Sequence, residues 1–392
     1  MSTALSELVV LDLCRSYPPA ISSAILADFG ARVIRVDPMG RAGDHSKMTN
    51  DAWRAHMTWD RNKESISVNL RSQKGIEVIH RLIERADILI ENSRPGTMES
   101  LGIDYEHAKT INPGIIYCAA SGFGQNGPYR ERPGHDLTYI ALSGVLSLIT
   151  DKDGCPVKPM NFIADIAAAG LYPVIGILIA LHARGDSGMG QYIDFSYFDG
   201  TVSMLSREVA RLFASQCPGG KSVYPRPNPL SGIFETSDGR YVTFSIVEEK
   251  YWKKMWKLLG RDQYLEKKYT DDQQCIEEMT ECFRHIVRGK TLNEWEEFIL
   301  THDVPGAPVA SLSDMTKDPQ VRHRAMLVEM DHPRCGTVTH TGIPLKLSQT
   351  PGLIRGIAPS PGENTKEILG SFGYSETEIE RLVIEGDIGV VS

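Results

Sequence analysis

The chain has 392 residues, of which 41% are hydrophobic and 23% are charged, and its net charge is −8 at pH 7. This length suits two domains, and the composition is that of an ordinary globular protein. A nucleic-acid-binding protein would carry a basic face, so the acidic balance argues against such a partner. An anionic ligand would have to be bound by a local cluster of lysine and arginine.

The seven cysteines are scattered and form no CxxC pair; they stand at positions 14, 118, 155, 217, 275, 282 and 335. This distribution predicts free thiols in a reducing compartment. The N-terminus runs directly into the strand-like ELVVLDL, which leaves no room for a cleavable leader. No uninterrupted apolar run reaches the length of a membrane span. We therefore expect a cytoplasmic protein without a membrane partner.

Short β-branched runs alternate with amphipathic stretches through the first two hundred residues. The predicted strands are Leu8–Leu13, Arg32–Val36, Ser65–Leu70, Asp87–Glu91, Gly114–Ala119 and Gln191–Ser196. The predicted helices are Ala20–Phe29, Lys74–Ala86, Tyr105–Ile111, Leu137–Ile149 and the long apolar Ile163–Ala183. Strand–helix alternation predicts an α/β domain with a mostly parallel sheet covered on both faces.

The composition changes at residues 216–229, where prolines and glycines predict a linker. It would join a large domain, residues 1–215, to a small α+β domain, residues 230–325. The small domain has predicted strands and helices at Gly232–Glu235, Tyr241–Ile246, Lys250–Leu259 and Leu292–Leu300. Residues 326–392 look loop-rich, apart from a last helix at Ser375–Glu385.

The run GFGQNG, from Gly122 to Gly127, matches the G-x-G-x-x-G pattern of dinucleotide-binding loops. It is followed by Pro128 and a polar run, however, and no helix opens there to bind a pyrophosphate at its N-terminus. The turn after the first strand, CRSYPP, contains no glycine. A nicotinamide cofactor is therefore not expected. The glycines are predicted to let the backbone pass close to a ligand or a neighbouring chain.

The segment from residue 121 to 170 carries the most information. It contains SGFGQNGPY, RPGHDLTYIALSG and NFIADIAAAG, which place His135 and Asp165 among small and apolar residues. An acid in such surroundings usually has a partner or a task. The pattern resembles the family III CoA-transferase family, which includes formyl-CoA and carnitine CoA-transferases and the α-methylacyl-CoA racemases. GMGQYID, VPGAPV and PSPGEN extend the resemblance over nearly the whole chain.

This resemblance implies a Rossmann-like large domain with a parallel sheet and a small α+β domain, in two chains interlocked as a homodimer. Residues 326–392 would return to the large domain. The substrate would be a coenzyme A thioester, and a carboxylic acid could serve as acceptor. No prosthetic group and no metal are expected.

The resemblance also assigns Asp165 as the catalytic carboxylate. From its position alone, Asp165 could equally be the N-cap of the apolar helix, where the helix dipole would favour the ionised form. The neighbour of His135, Asp136, is predicted to cap the helix Leu137–Ile149.

His135 stands in a GHD sequence similar to that of the racemases, and the resemblance makes it a second proton carrier. The alternative is a structural, partly buried histidine. Glu248 falls where the racemases have a glutamate that hydrogen-bonds the catalytic histidine, and it would come from the small domain of the partner chain. Glu248 could also be a surface residue that begins a helix, and the adjacent Glu249 is a second candidate.

Six cations follow the predicted strand ends: Arg35, Arg41, Lys47, Arg61, Lys63 and Arg94. In open α/β sheets, ligands bind outside the carboxyl ends of the strands. By resemblance, Arg35, Lys63 and Arg94 would contact the phosphates or the adenine side of coenzyme A. Each of them alone could also be a solvated surface charge.

Two reactions fit these residues. In a 2-methylacyl-CoA racemase, His135 and Asp165 would remove and return the α-proton on opposite faces of an enolate, with backbone N–H groups near Asp165 binding the enolate oxygen. In a CoA-transferase, Asp165 would attack the thioester and pass through an anhydride and an aspartyl-CoA thioester. A non-catalytic CoA-thioester-binding protein is a third reading, which the intact Asp165 disfavours.

Overall fold

A computed structural model describes residues 3–39, 58–151, 153–214, 227–333 and 336–391. The chain divides into two compact units, Met1–Arg207 with Ala325–Ser392 and Glu208–Arg324. Residues 216–226 of the predicted linker, and the predicted cations Arg41 and Lys47, lie outside the described residues.

The strands, numbered along the chain, are β1 Val9–Asp12, β2 Arg32–Pro38, β3 Lys63–Val68, β4 Ile88–Glu91, β5 Ile116–Ser121, β6 Tyr192–Ser196, β7 Ser231–Glu235, β8 Tyr241–Ser245, β9 Gly306–Pro308, β10 Leu327–His332, β11 Gly336–Thr341 and β12 Ile388–Gly389. In the described part of the first unit, seven of them form one sheet in the order β12-β3-β2-β1-β4-β5-β6. Every pairing in this sheet is parallel except that of β12, which lies antiparallel to β3. The α/β class with a parallel-dominated sheet is therefore confirmed.

Both faces of this sheet are buried, since alternate residues of a strand point to opposite sides. On β1, Leu11 packs in a cluster with Ile79 and Leu82 of the helix Gln73–Ile83. The preceding Val10 packs on the other face with Val174 and Ile177 of a different helix. This two-sided burial explains why the predicted strand bounds of the first six strands differ from the observed ones by at most two residues.

The helices of the first unit are Tyr17–Asp28, Gln73–Ile83, Thr97–Leu101, Tyr105–Ile111, Asp136–Leu142, Tyr172–Ser187, Tyr197–Ser203, Thr365–Ser371 and Glu376–Glu385, and Ser206–Ala214 spans the division between the units. The predicted helix Leu137–Ile149 is too long. It ends at Leu142, and Gly144, with a φ of 91°, separates it from a single 3₁₀ turn at Val145–Leu148. A glycine with positive φ is a common helix terminator.

The long apolar helix has two parts. Phe162–Leu171 winds as a π-helix, and Tyr172–Ser187 continues as an α-helix. Together they span 26 residues and contain an 18-residue apolar window with a mean hydropathy of 2.1, so the helix could cross a membrane by length and composition alone, although Asp165 interrupts the apolar run. Within the fold, 39% of the apolar window is buried, and Ile177 and Ala180 pack against the sheet.

In the second unit, β7, β8 and β9 form an antiparallel sheet beside the helices Glu249–Leu258, Gln273–Arg288, Leu292–His302, Leu312–Met315 and Pro319–His323. Its core contains the fully buried Trp252, Trp256 and Trp295.

Residues 326–392, which belong to the first unit, are less irregular than expected. The strands β10 and β11 pair antiparallel, and Ile388 of β12 pairs with Val68 of the large sheet.

Candidate active site

A cavity of about 490 Å³ lies at the carboxyl ends of β1, β4 and β5, and we call it the strand-end cavity. The chain passes from β1 to β2 on one side and returns to β4 on the other, so the cavity lies where the strand order reverses. Such switch points are the usual ligand sites of open parallel sheets. The cavity is lined by Ser16, Tyr17, Pro18, Asn92, Ser93, Arg94, Pro95, Ala120, Ser121, Gly122, Phe123, Arg130, Glu131, Arg132, Pro133, Gly134, His135, Tyr139, Asp165 and Tyr197.

Three of the predicted site residues, Asp165, His135 and Arg94, line this one cavity. Asp165 is 8% exposed, whereas His135 and Arg94 are exposed. His135 immediately precedes the helix Asp136–Leu142 and has an extended backbone. His135 is therefore not buried within this chain, and its role as a proton carrier stays a prediction.

Asp165 lies inside the π-helical segment, four residues after its N-cap Asn161. The alternative that Asp165 caps the helix is wrong.

The Asp165 carboxylate is held by two donors. Its Oδ2 accepts hydrogen bonds from the Tyr17 hydroxyl at 2.9 Å and from Nδ2 of Asn161 at 3.2 Å. Burial raises the pKa of the Asp165 carboxyl, the Tyr17 bond lowers it, and the charges of Asp136 and His135 raise and lower it respectively; the net direction is upward.

Asp136 fixes the backbone that carries Asp165. Its buried Oδ1 accepts the N–H groups of Ala164 at 2.8 Å and of Asp165 at 3.0 Å. The first turn of a helix has N–H groups without a partner inside the helix, and Asp136 accepts hydrogen bonds from two of them in the helix that carries Asp165. The expectation that Asp136 caps its own helix is therefore wrong. These two N–H groups are already bonded, so the expectation that backbone donors next to Asp165 bind the enolate oxygen is not supported.

The glycine loop packs around Tyr139, whose ring is 4% exposed. A Cβ on Gly122 would lie 2.5 Å from the Tyr139 hydroxyl oxygen, and one on Gly134 would lie 2.6 Å from its Cε1. Glycine is needed at both positions because the backbone approaches this buried ring. Within the chain, the close neighbour of Gly122 is therefore the Tyr139 ring, and close passage of a ligand or a neighbouring chain along the loop stays a prediction.

The predicted CoA-binding cations occupy different environments. Arg94 is exposed in the cavity, and its side chain has no hydrogen bond or ion pair with the described residues. The Lys63 side chain is 0% exposed and its ammonium bonds Asp12 at 3.0 Å and Asp60 at 3.1 Å. Arg35 pairs with Asp37 at 2.8 Å and with Asp60 at 2.5 Å. Neither Lys63 nor Arg35 lines the cavity, so their placement does not support a contact with coenzyme A.

Glu248 belongs to the second unit, where it is exposed and occupies the N-cap position of the helix Glu249–Leu258. Its carboxylate makes no capping hydrogen bond. The contact with His135 of a partner chain stays a prediction.

Sequence reasoning missed Tyr17 and Asn161, the two donors to Asp165. Among the described residues, no cluster of three or more His, Cys, Asp or Glu side chains could hold a metal ion.

The model of CoA-transferase family III matches residues 5–365. This chain belongs to that family. It is 32% identical to the α-methylacyl-CoA racemase of Homo sapiens over 385 residues, 97% of this chain and 96% of the relative. It is 31% identical to the succinyl-CoA–L-malate CoA-transferase beta subunit of Chloroflexus aurantiacus over 391 residues, 96% of each chain.

A crystal structure of a CaiB/BaiF family protein from Brucella suis has the same fold. Its TM-score is 0.79 at 28% identity, and the superposition covers 95% of this chain and 100% of the other. The family relatives include both racemases and transferases, so membership alone leaves the reaction to be decided from the site.

Proposed function

We propose that this protein is a 2-methylacyl-CoA racemase or epimerase. The observation that carries this proposal is that His135 and Asp165, two groups able to carry a proton, come from separate segments and line the same cavity. One-base exchange returns a proton to the face it left, so inversion needs two carriers on opposite faces of a planar intermediate. The 32% identity to a racemase over 97% of the chain supports the same reading.

In the proposed reaction, the thioester carbonyl makes the α-proton acidic. One carrier takes this proton from the α-carbon and leaves an enolate, and the other delivers a proton to the opposite face. Asp165 suits the role of base because burial raises the pKa of its carboxyl towards the neutral range. The roles of the two residues exchange for the opposite enantiomer.

A CoA-transferase is the second candidate, and the free oxygen of Asp165 suits it as well as it suits the racemase. Both donors to this carboxylate, Tyr17 and Asn161, bind Oδ2, and Oδ1 accepts no hydrogen bond from the described residues. Oδ1 is therefore available to attack a thioester carbonyl, releasing the CoA thiolate and forming an acyl-aspartyl anhydride. The thiolate would then attack the aspartyl carbonyl, forming an aspartyl-CoA thioester and releasing the first acid. The acceptor carboxylate would attack this thioester, and the thiolate would return to the new acyl group, which frees Asp165. The Chloroflexus relative supports this reading.

Incubation of an acyl-CoA in deuterated water, with and without a free carboxylic acid, separates the two reactions. We expect deuterium at the α-carbon without any acceptor, together with loss of optical purity. CoA transfer onto the added acid, with no deuterium incorporated, would overturn the racemase assignment and support the transferase.

We propose that coenzyme A binds with Arg94 as a phosphate contact, since this exposed guanidinium lies at the cavity without a protein partner among the described residues. No prosthetic group is invoked in either reaction. The scattered cysteines support a cytoplasmic location, which cell fractionation would test.

We further propose an interlocked homodimer whose large domain is Rossmann-like. The helix Tyr172–Ser187 exposes Ile175, Leu178 and Ile179 on one face, to 48%, 44% and 64%. Exposed apolar faces of this kind mark interfaces or membrane contacts. A second copy of the chain is the proposed occupant, and the expected result is a dimeric mass by light scattering without detergent. A monomer, or protein recovered only with detergent, would contradict it.

A further inference from the structure

Tyr17 stands at the start of the helix Tyr17–Asp28, just beyond the carboxyl end of the central strand β1. Its hydroxyl donates to Oδ2 of Asp165 at 2.9 Å, across 148 positions of sequence. Nδ2 of Asn161 donates to the same oxygen at 3.2 Å. The two oxygens of the carboxylate are therefore unequal, because one is held by two donors and the other by none of the described residues.

We propose that Tyr17 is a positioning residue for the reaction, whose hydroxyl holds Oδ2 of Asp165 so that Oδ1 faces the substrate. The inference rests on the proposed role of Asp165. It applies to both candidate reactions, since a base and a nucleophile each use one oxygen of the carboxylate and need its orientation fixed.

A phenol can orient a carboxylate without neutralising it. Burial raises the pKa of the Asp165 carboxyl, and the hydrogen bond from Tyr17 opposes this rise by stabilising the ionised form. Burial and the bond to Asp165 also raise the pKa of Tyr17, so its hydroxyl stays protonated and keeps donating. The titratable groups that face Asp165 are Tyr17, His135, Asp136, Tyr139 and Tyr197.

The ring of Tyr17 is itself held in place. It stacks on Trp59, with 6.0 Å between the ring centroids and 26° between the planes. The next residue, Asp60, pairs with the buried Lys63 at 3.1 Å and with Arg35 at 2.5 Å. A chain of contacts thus runs from the ion pairs at the strand ends through Trp59 and Tyr17 to Asp165. Arg35 and Lys63 are therefore linked to the site through Asp60, and they do not line the cavity.

The test is a carboxyl titration that does not depend on turnover. Aspartate carboxyls labelled with carbon-13 are followed by NMR against pH, and the signal missing in Asp165→Asn identifies Asp165. Tyr17→Phe keeps the aromatic ring but removes the donor. Hydrogen bonds to charged groups are the stronger ones, so we expect the Asp165 midpoint to rise by about one pH unit. The acid limb of kcat/KM should move by the same amount.

Tyr264→Phe is the matched control, since the Tyr264 hydroxyl bonds a carboxylate, Glu278, at 2.8 Å in the second unit. It should leave the midpoint and the pH profile unchanged. Trp59→Ala should move the midpoint in the same direction as Tyr17→Phe, and Trp59→Phe should restore it.

The possible failures are distinguishable. An unchanged Asp165 midpoint in folded Tyr17→Phe, with Asp165→Asn inactive, would overturn the role of Tyr17 and leave the proposed function standing. An active Asp165→Asn protein would overturn the proposed function and this inference with it. If Tyr17→Phe does not fold, an unchanged midpoint in Trp59→Ala overturns the inference.

Discussion

Glu91, at the carboxyl end of β4, should make the folded protein less stable as the pH rises. The side chain is buried, 4% exposed. Burial raises the pKa of its carboxyl from 4.5 to about 7, although the Ser93 N–H, which donates to Oε2 at 2.6 Å, acts in the opposite direction. The folded state therefore binds this proton more tightly than the unfolded chain does.

The sign follows from proton linkage. The contribution of Glu91 to the free energy of unfolding is fully present below pH 4.5, and it declines as the pH rises towards 7. The interval between 4.5 and about 7, at about 1.36 kcal/mol per pH unit, corresponds to a loss of about 3 kcal/mol. Glu91→Gln keeps an acceptor for the Ser93 N–H but cannot ionise, so the variant should not suffer this loss.

The assay is urea denaturation of the two proteins from about pH 4 to pH 8, compared at each pH. Circular dichroism is the appropriate signal, because Trp252, Trp256 and Trp295 lie in the second unit, so tryptophan fluorescence would not follow the first unit alone. Relative to the parent, Glu91→Gln should gain about 3 kcal/mol across this range. Glu235→Gln is the control, because Glu235 is exposed and pairs with Arg288 on the surface. A stability difference that stays constant with pH would refute the reasoning.

Three further changes test the site. Arg94→Ala should weaken coenzyme A binding about tenfold in calorimetry, and more at low salt, whereas Arg381→Ala, whose guanidinium pairs with Glu385 on the surface, should not. Asp136→Ala leaves the Ala164 and Asp165 N–H groups without their acceptor; these amides should lose hydrogen-exchange protection, and unchanged protection would count against the assigned bonds. His135→Ala should abolish racemisation but leave α-proton exchange for one enantiomer; full CoA transfer with an adduct trapped by hydroxylamine would favour the transferase instead.

The centre of the large sheet could be predicted from the sequence because β1, β4 and β5 are buried on both faces and appear as mostly apolar runs. The β10–β11 hairpin could not, since LVEMDH and GTVTHT mix charged and polar residues along strands that are largely accessible. The two-residue strand β12 is too short to leave a pattern. Its place in the sheet depends on pairing with β3, more than three hundred residues earlier.

For the site, a local motif identified His135 and Asp165, but not their surroundings. Tyr17 appeared only as part of a turn without glycines, and its bond to Asp165 depends on how the helix Tyr17–Asp28 packs against the π-helical segment. Lys63 shows the opposite error. A lysine near a strand end suggested a ligand contact. Burial alone would lower the pKa of this lysine, but the carboxylates of Asp12 and Asp60 raise it and occupy its ammonium. Burial and ion pairing are not visible in a single sequence.

Turnover of an acyl-CoA by Asp165→Asn is the decisive measurement for the catalytic role of Asp165. The asparagine preserves the size of the side chain and an acceptor for the Tyr17 hydroxyl, but it provides neither a base nor a nucleophile. We expect a folded protein in which both α-deuterium incorporation and CoA transfer fall by about 100-fold or more. A folded Asp165→Asn protein with near-native activity in either assay would contradict it.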